Sequence, residues 1–272
     1  MTRAASPRTA MGSSTSAKPT PSTSRSTLPP DSYFRRTELP LTSLVFLLPI
    51  VILYEVGTAL WTTNPHSQIE QRIIAFNMLQ RFLGAFGASA KYLPALAVPA
   101  ILLTWHLARR DKWKVRPAHV VGMIFESLVL SIPLMLLGRA AEQYLSHITL
   151  AGAPSIIARM SSAKGLFVLS LGAGVYEELL FRLISFTVLS FVLTDLLEMR
   201  KSASALLMVL GSAILFSCYH YLGSEPFRFW TFAFRTLAGV YFGIVFLCRG
   251  FGVTAGSHVA YDLCVVAMRV FG

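Results

Sequence analysis

Residues 165–196 read GLFVLSLGAGVYEELLFRLISFTVLSFVLTDL, and this run contains no proline. As one α-helix it would be about 48 Å long at 1.5 Å per residue, whereas the hydrocarbon core of a bilayer is roughly 30 Å thick. We therefore expect a membrane helix that tilts, protrudes or breaks near Arg182. Our predicted topology assumes that this helix crosses the membrane once.

Six further apolar runs flank this helix, and they cover residues 41–61, 92–108, 119–138, 205–222, 229–248 and 252–271. Residues 73–90 carry Arg81 amid apolar side chains, which is typical of an interfacial or tilted helix. Residues 139–164 are polar enough for a loop. Barrel strands alternate over about ten residues, and these runs are longer and continuous. The sequence therefore predicts an all-α, polytopic transmembrane helical bundle of about seven to eight spans.

The composition supports a membrane protein. Of 272 residues, 54% are hydrophobic and only 14% are charged, whereas about a quarter of residues are charged in soluble domains. These figures exclude a collagenous, disulfide-rich or wholly disordered chain. The three cysteines lie in apolar runs without CxxC spacing, so we expect them to be small buried hydrophobic residues.

The net charge of +11 is concentrated beside the spans. Residues 1–36 hold six basic residues and one acid, and residues 109–116 hold five basic residues and one acid. Membrane proteins keep Lys and Arg in their cytosolic loops, so this pattern places the N-terminus, Arg200, Lys201 and Arg249 in the cytosol. No nucleic-acid partner is expected.

The first 36 residues are rich in Ser, Thr and Pro, and no acid precedes Asp31. Such a segment buries too little apolar surface to offset its ordering entropy, which predicts a disordered tail. It lacks the apolar region of a secretory signal. An organellar transit peptide would have the same composition as a solvated cytosolic tail, so the transit peptide is an alternative interpretation of this segment.

Ionisable side chains inside the later spans are the exceptions to this apolar pattern. Each costs about 2.5–3.5 kcal/mol at the centre of a membrane helix, so it usually has a partner or a function. Three motifs hold them: EELLFR (177–182), FSCYH (216–220) and HVAYD (258–262). Their occurrence in consecutive spans favours a shared site over separate structural hydrogen bonds between helices.

The spacing within these motifs indicates their chemistry. Glu178 and Arg182 are one turn apart and are expected to pair, which leaves Glu177 free for another partner. A buried carboxylate near imidazoles is suited to act as a general base for water. His220 or His258 would polarise a carbonyl or hold the water.

The remaining charged residues in apolar runs lack such a motif. We expect pairing between helices, or an interfacial position, for Glu55, Glu126 and Asp195. Arg235 is expected to pair with a carboxylate. His106 and His119 flank the basic loop, which predicts interfacial positions.

The three motifs resemble those of the CPBP family of intramembrane proteases, which includes type II CAAX prenyl endopeptidases and bacteriocin-processing or immunity-linked proteins. The family pattern is EExxxR, then FxxxH, then HxxxN or HxxxD, on successive membrane helices. The resemblance covers roughly residues 160–272. It implies a catalytic core over 160–272, preceded by leading spans over 37–159.

The resemblance also implies roles for the motif residues. Glu177 matches the glutamate that activates water, with His220 assisting. His258 and Asp262 match the pair that stabilises the oxyanion. The supporting residues are Glu178 and Arg182, which maintain the geometry, and Phe216, which packs.

Asp262 occupies a position at which an asparagine would donate a hydrogen bond to an oxyanion. An ionised aspartate cannot donate, so Asp262 would be protonated, would orient His258, or would bind metal. A zinc site of Glu177, His220 and His258 is the metal-dependent alternative. Because the chain lacks HExxH, we expect catalysis without a cofactor or metal.

The sequence thus predicts an intramembrane endopeptidase that hydrolyses a peptide bond of a membrane-associated protein or peptide with activated water. Two alternatives remain: a non-proteolytic scaffold or regulator of the same family, and a transporter or proton relay. The expected location is the bacterial inner membrane, with the lipid bilayer as a partner.

Overall fold

The computed structural model describes residues 29, 31–63, 70–87, 92–146, 162–223 and 225–271. These residues form helices and contain no β-strand, which confirms the predicted all-α fold. The helices are α1 (Tyr33–Thr37), α2 (Pro40–Gly57), α3 (Ile74–Ala85), α4 (Leu93–Arg109), α5 (Pro117–Ser146), α6 (Ala163–Leu196), α7 (Lys201–Tyr219), and the two halves of Phe229–Phe271.

Phe229–Phe271 is a hairpin of two helices. Gly250 interrupts the helical backbone with φ 73° and ψ −176°, a left-handed conformation that glycine adopts readily. The rings of Phe242 and His258 are stacked with centroids 4.6 Å apart, whereas a straight helix would separate these residues by about 24 Å. The chain therefore folds back at Gly250 into antiparallel helices α8 (229–249) and α9 (251–271), as the two predicted spans require.

Five helical segments within the described ranges are long and apolar enough to cross a membrane, and Leu93–Arg109 is a shorter apolar helix. Because one of the five is the α8–α9 hairpin, the structure agrees with the predicted number of spans. Many large apolar side chains are exposed on the outer faces of these helices, where lipid tails would contact them. The chain is a multi-pass membrane protein.

Helix α6 does not break near Arg182. It continues from Ala163 to Leu196 through three π-helical turns, at Ala173–Glu177, Leu179–Ile184 and Phe191–Leu196. Such turns occur frequently at functional sites, because they rotate side chains relative to a regular α-helix. The first two π-helical turns contain every residue of the EELLFR motif except Glu178.

The structure corrects several local predictions. Helix α5 extends to Ser146, so the predicted loop over 139–164 begins too early; residues 147–161 lie outside the described residues. Residues 33–36 of the predicted disordered tail 1–36 are helical, as part of Tyr33–Thr37. Residues 1–28 and 30 lie outside the described residues, so the disorder expected there stays a prediction.

His106 lies in the last turn of α4, where it is buried and its ring lies 4.4 Å from that of Trp113. Its position at the membrane interface stays a prediction. The prediction that the cysteines are buried was wrong. The cysteines are free but are not buried: Cys218 and Cys248 are exposed, and Cys264 is intermediate. Apolar residues on a membrane helix face lipid as readily as they face the core.

The predicted pairing between helices is confirmed for Glu126. Glu55 pairs with Arg72, which precedes α3, and an interfacial position for Asp195 stays a prediction. Glu55 forms a bidentate pair with Arg72, with N–O distances of 2.9 and 2.8 Å. Glu126 in α5 pairs with Arg249 at the hairpin turn, where its Oε2 lies 2.9 Å from Nη2. Asp195 is exposed near the end of α6.

Arg249 joins the hairpin turn to α1 as well as to α5. Its guanidinium donates to Thr37 Oγ1 at 2.8 Å and to the Phe34 carbonyl at 3.2 Å. Tyr33 of α1 donates to Glu126 Oε2 at 2.7 Å. Helix α1 therefore binds both members of the pair that Glu126 forms with Arg249. The turn that connects α8 and α9 is therefore fixed by a buried network of hydrogen bonds.

Candidate active site

The three motifs converge on one buried region between α6, the end of α7 and α9. Helix α6 contributes the two glutamates and the arginine of its motif, α7 contributes the FSCYH motif, and α9 contributes the histidine and aspartate of the HVAYD motif. Glu177 and His258 are each 5% exposed, and Glu178 is fully buried. The residues singled out from the sequence are Glu177, Glu178, Arg182, Phe216, His220, His258 and Asp262.

Glu178 and Arg182 form the expected ion pair. Arg182 Nη1 lies 3.1 Å from Glu178 Oε1, and both side chains are fully buried. Arg182 also donates to the Gly239 carbonyl of α8 at 3.0 Å. The guanidinium therefore holds the Glu178 carboxylate in α6 and anchors α6 to the hairpin.

His258 lies between three carboxylates. Its Nδ1 is 2.7 Å from Glu178 Oε1, and because that carboxylate accepts, Nδ1 is assigned as the donor. Its Nε2 is 3.8 Å from Glu177 Oε2 and 3.8 Å from Asp262 Oδ2. Both distances exceed a hydrogen bond, so Nε2 is not bonded to either carboxylate and faces both.

Aromatic rings hold the His258 imidazole in place. The Phe242 ring of α8 stacks on it with an interplanar angle of 18°. The Phe216 ring meets it edge to face at 6.0 Å, and Arg182 lies over that ring at 4.6 Å. Phe216 thus packs between the imidazole and the guanidinium, which agrees with the packing role implied by the family resemblance.

His220 follows the last residue of α7, in a short 3₁₀ turn. Its Nδ1 lies 2.8 Å from the Phe216 carbonyl, and because a carbonyl only accepts, Nδ1 is assigned the proton. In the neutral ring, Nε2 is then an acceptor. Within the described residues no hydrogen bond joins His220 to Glu177, so the structure brings these two residues to one region without direct contact.

Tyr219 is a site residue that sequence reasoning missed. Its hydroxyl donates to Glu177 Oε1, and its ring is 4.3 Å from that of His220 and 4.8 Å from that of Phe181. The only sequence signal was its position three residues after Phe216 in the FSCYH motif. Phe242 was also missed, because a phenylalanine in an apolar span carries no signal for a functional site.

The close approach of α6 and α9 positions the site. A Cβ atom built on Gly174 would lie 2.5 Å from the Val259 backbone nitrogen and 2.4 Å from Val259 Cγ2. Glycine permits helices in membranes to approach at this distance. Because Val259 follows His258, this contact sets how far the imidazole lies from Glu177 and Glu178.

Glu177, His220 and His258 are the ligands of the zinc alternative. Within the described part of the chain, no group of three His, Cys, Asp or Glu side chains is arranged to hold a metal ion. As placed, Glu177, His220 and His258 do not form the zinc site of the metal-dependent alternative.

Arg235 pairs with a carboxylate as expected. Both of its terminal nitrogens lie 3.0 Å from the oxygens of Glu225. The pair connects α8 to the segment after α7, near the end of the bundle that holds His220. It serves to brace this end of the bundle.

Fold and site together define a membrane-embedded helical bundle with buried carboxylates around an imidazole. Residues 160–264 match the family described as Type II CAAX prenyl endopeptidase Rce1-like. The matched segment contains all three motifs, and it confirms the predicted resemblance to the CPBP family of intramembrane proteases. No curated protein and no solved structure matches the chain significantly.

Proposed function

We propose that this protein is an intramembrane endopeptidase in which Glu177 activates water to hydrolyse a peptide bond. The observation that supports this proposal is the placement of the Glu177 carboxylate. It is buried, Tyr219 binds its Oε1, and its Oε2 faces His258 Nε2 at 3.8 Å. A buried carboxylate with one oxygen uncommitted is suited to take a proton from water.

The proposed reaction begins with proton transfer to Glu177. Glu177 Oε2 takes one proton from water while the water oxygen bonds to the peptide carbonyl carbon. The carbonyl oxygen becomes an oxyanion, which polar groups aimed at it stabilise. When the intermediate collapses, the carbon–nitrogen bond breaks and Glu177 returns the proton to the leaving amine.

The other motif residues support this step. His258 lies between Glu177 and Asp262, and in its doubly protonated form it would donate Nε2–H to the oxyanion. Asp262 orients the imidazole and stabilises that form. His220, with Nε2 as acceptor, holds the attacking water. No step is routed through a metal ion.

The substrate class follows from the position of the site. Because the carboxylates lie within the bundle, a membrane-associated protein or peptide is the proposed substrate, presented from the lipid bilayer. The matched family is a CAAX prenyl endopeptidase, so a farnesylated CAAX peptide is the first probe to try. We further propose that the protein resides in a bacterial inner membrane with a cytosolic N-terminus.

Comparative proteomics of membranes tests the proposal. Cells carry the wild type, Glu177→Gln or Asp195→Asn; the last is the matched control, since Asp195 is an exposed carboxylate on the same helix. We expect an uncleaved precursor to accumulate with Glu177→Gln alone. If equally abundant Glu177→Gln protein leaves every precursor processed, the proposed protease function is wrong, and unchanged binding partners would then indicate a scaffold.

A further inference from the structure

The Tyr219 hydroxyl contacts the proposed general base and has no role in the reaction steps proposed above. Tyr219 is the last residue of α7 and is 5% exposed. Its ring is held between His220 and Phe181, and its O–H donates to Glu177 Oε1. This buried donor is therefore fixed within reach of the atoms at which charge would develop.

While His258 is neutral, the site is short of hydrogen-bond donors for an oxyanion. With Nδ1 assigned the proton, His220 and neutral His258 each present an accepting Nε2. An ionised Asp262 also accepts. Among the described side chains that bind or pair with Glu177 and His258, Tyr219 is the only neutral donor.

We infer that Tyr219 is a further catalytic residue, which donates to the carbonyl oxygen of the substrate as the tetrahedral intermediate forms. This inference rests on the proposed function. Proton uptake turns the Glu177 carboxylate into a neutral carboxyl, which is a weaker acceptor than the new oxyanion. The Tyr219 O–H then shifts its hydrogen bond to the oxyanion without losing its proton, and it returns to Glu177 after the carbon–nitrogen bond breaks.

Tyr219→Phe removes the donor and retains the ring. Loss of one oxyanion donor typically lowers kcat about 100-fold to 1,000-fold, so we expect this loss with KM changed less than about threefold. The control is Tyr221→Phe, because the Tyr221 hydroxyl binds the Arg228 carbonyl at 3.3 Å and, among the described residues, forms no hydrogen bond with Glu177. The assay uses a peptide that spans the cleavage site found by proteomics. Unchanged kcat in folded Tyr219→Phe overturns the inference.

A phosphinate analogue of the same peptide separates this role from mere positioning of Glu177. Its anionic tetrahedral group stands in for the oxyanion, so Tyr219→Phe should weaken its binding by a factor similar to the loss in kcat. If Tyr219 only orients Glu177, kcat falls while the affinity for the phosphinate stays the same. That second result overturns the inference.

Asp262→Asn provides a rescue experiment. An asparagine amide can donate where an ionised aspartate cannot, so Tyr219→Phe should lower kcat at least about tenfold less in an Asp262→Asn background than in the wild type. Asp262→Asn alone is the reference for this comparison, because it also removes the carboxylate that orients His258. An equal loss in both backgrounds contradicts the shortage of donors. Glu177→Gln separates the two proposals: if it cleaves the peptide, the proposed function fails. If it is inactive while Tyr219→Phe is fully active, only this inference fails.

Discussion

Gly174→Ala should lower activity far more than it lowers stability. The added Cβ would lie 2.5 Å from the Val259 backbone nitrogen, and ordinary contact distances are about 3.5–4.0 Å. Because the obstacle is backbone and cannot rotate away, α9 must move from α6 by about 1 Å. His258 precedes Val259, so the imidazole moves with it, and a misplacement of about 1 Å can cost about 100-fold in rate.

The effect on stability is expected to be modest because two contributions oppose each other. Overpacking costs about 1–3 kcal/mol, whereas replacing a helical glycine with alanine contributes about 1 kcal/mol of stabilisation. Gly211→Ala is the matched control, because a Cβ at Gly211 meets nothing within 4 Å. It should keep full activity and be slightly more stable.

Two measurements decide this prediction: cleavage of the peptide identified by proteomics, and thermal unfolding in detergent. Folded Gly174→Ala protein with activity within about threefold of wild type would refute the reasoning that contact between α6 and α9 sets the geometry of the site. Equal losses of activity in Gly174→Ala and Gly211→Ala would refute it as well.

Three further predictions concern buried charges and metal. Arg182→Met leaves the Glu178 carboxylate without the guanidinium that pairs with it, and it should destabilise the protein by about 3–5 kcal/mol. Thermal unfolding measures this loss of stability, which should be smaller in the double variant Glu178→Gln/Arg182→Met. Arg249→Met should destabilise the protein less than Arg182→Met, because its partners Glu126 and Glu38 are partly exposed and water can solvate them. Enhanced proteolysis near residues 33–38 would show that α1 is released, whereas an unchanged cleavage pattern would contradict this. Cleavage activity should survive 1,10-phenanthroline, since the described donors do not converge on a metal; inactivation that added zinc reverses would instead support zinc binding by Glu177, His220 and His258.

The sequence predicted most of the helices, because apolar runs of this length have few alternatives in a membrane. The pairing of Glu178 with Arg182 was predictable from spacing along one helix, which does not depend on tertiary structure. The role that we propose for Tyr219 was not predictable from the sequence, since an aromatic residue in a span resembles any other packing residue. The bond between Arg249 and Thr37 joins residues that are far apart in the chain, and no local pattern predicts such a contact.

The turn at Gly250 also concerns the order in which the protein is made. A ribosome synthesises α1 long before it reaches Arg249, yet the two must meet for the last helical hairpin to be held in place. His258 and Asp262 lie beyond that turn, so a nascent chain that has inserted α6 and α7 carries Glu177, the base that we propose, without His258. Under the proposed function, hydrolysis would therefore begin only after the late hairpin docks against the early helix, and a partly synthesised chain would leave neighbouring membrane proteins intact.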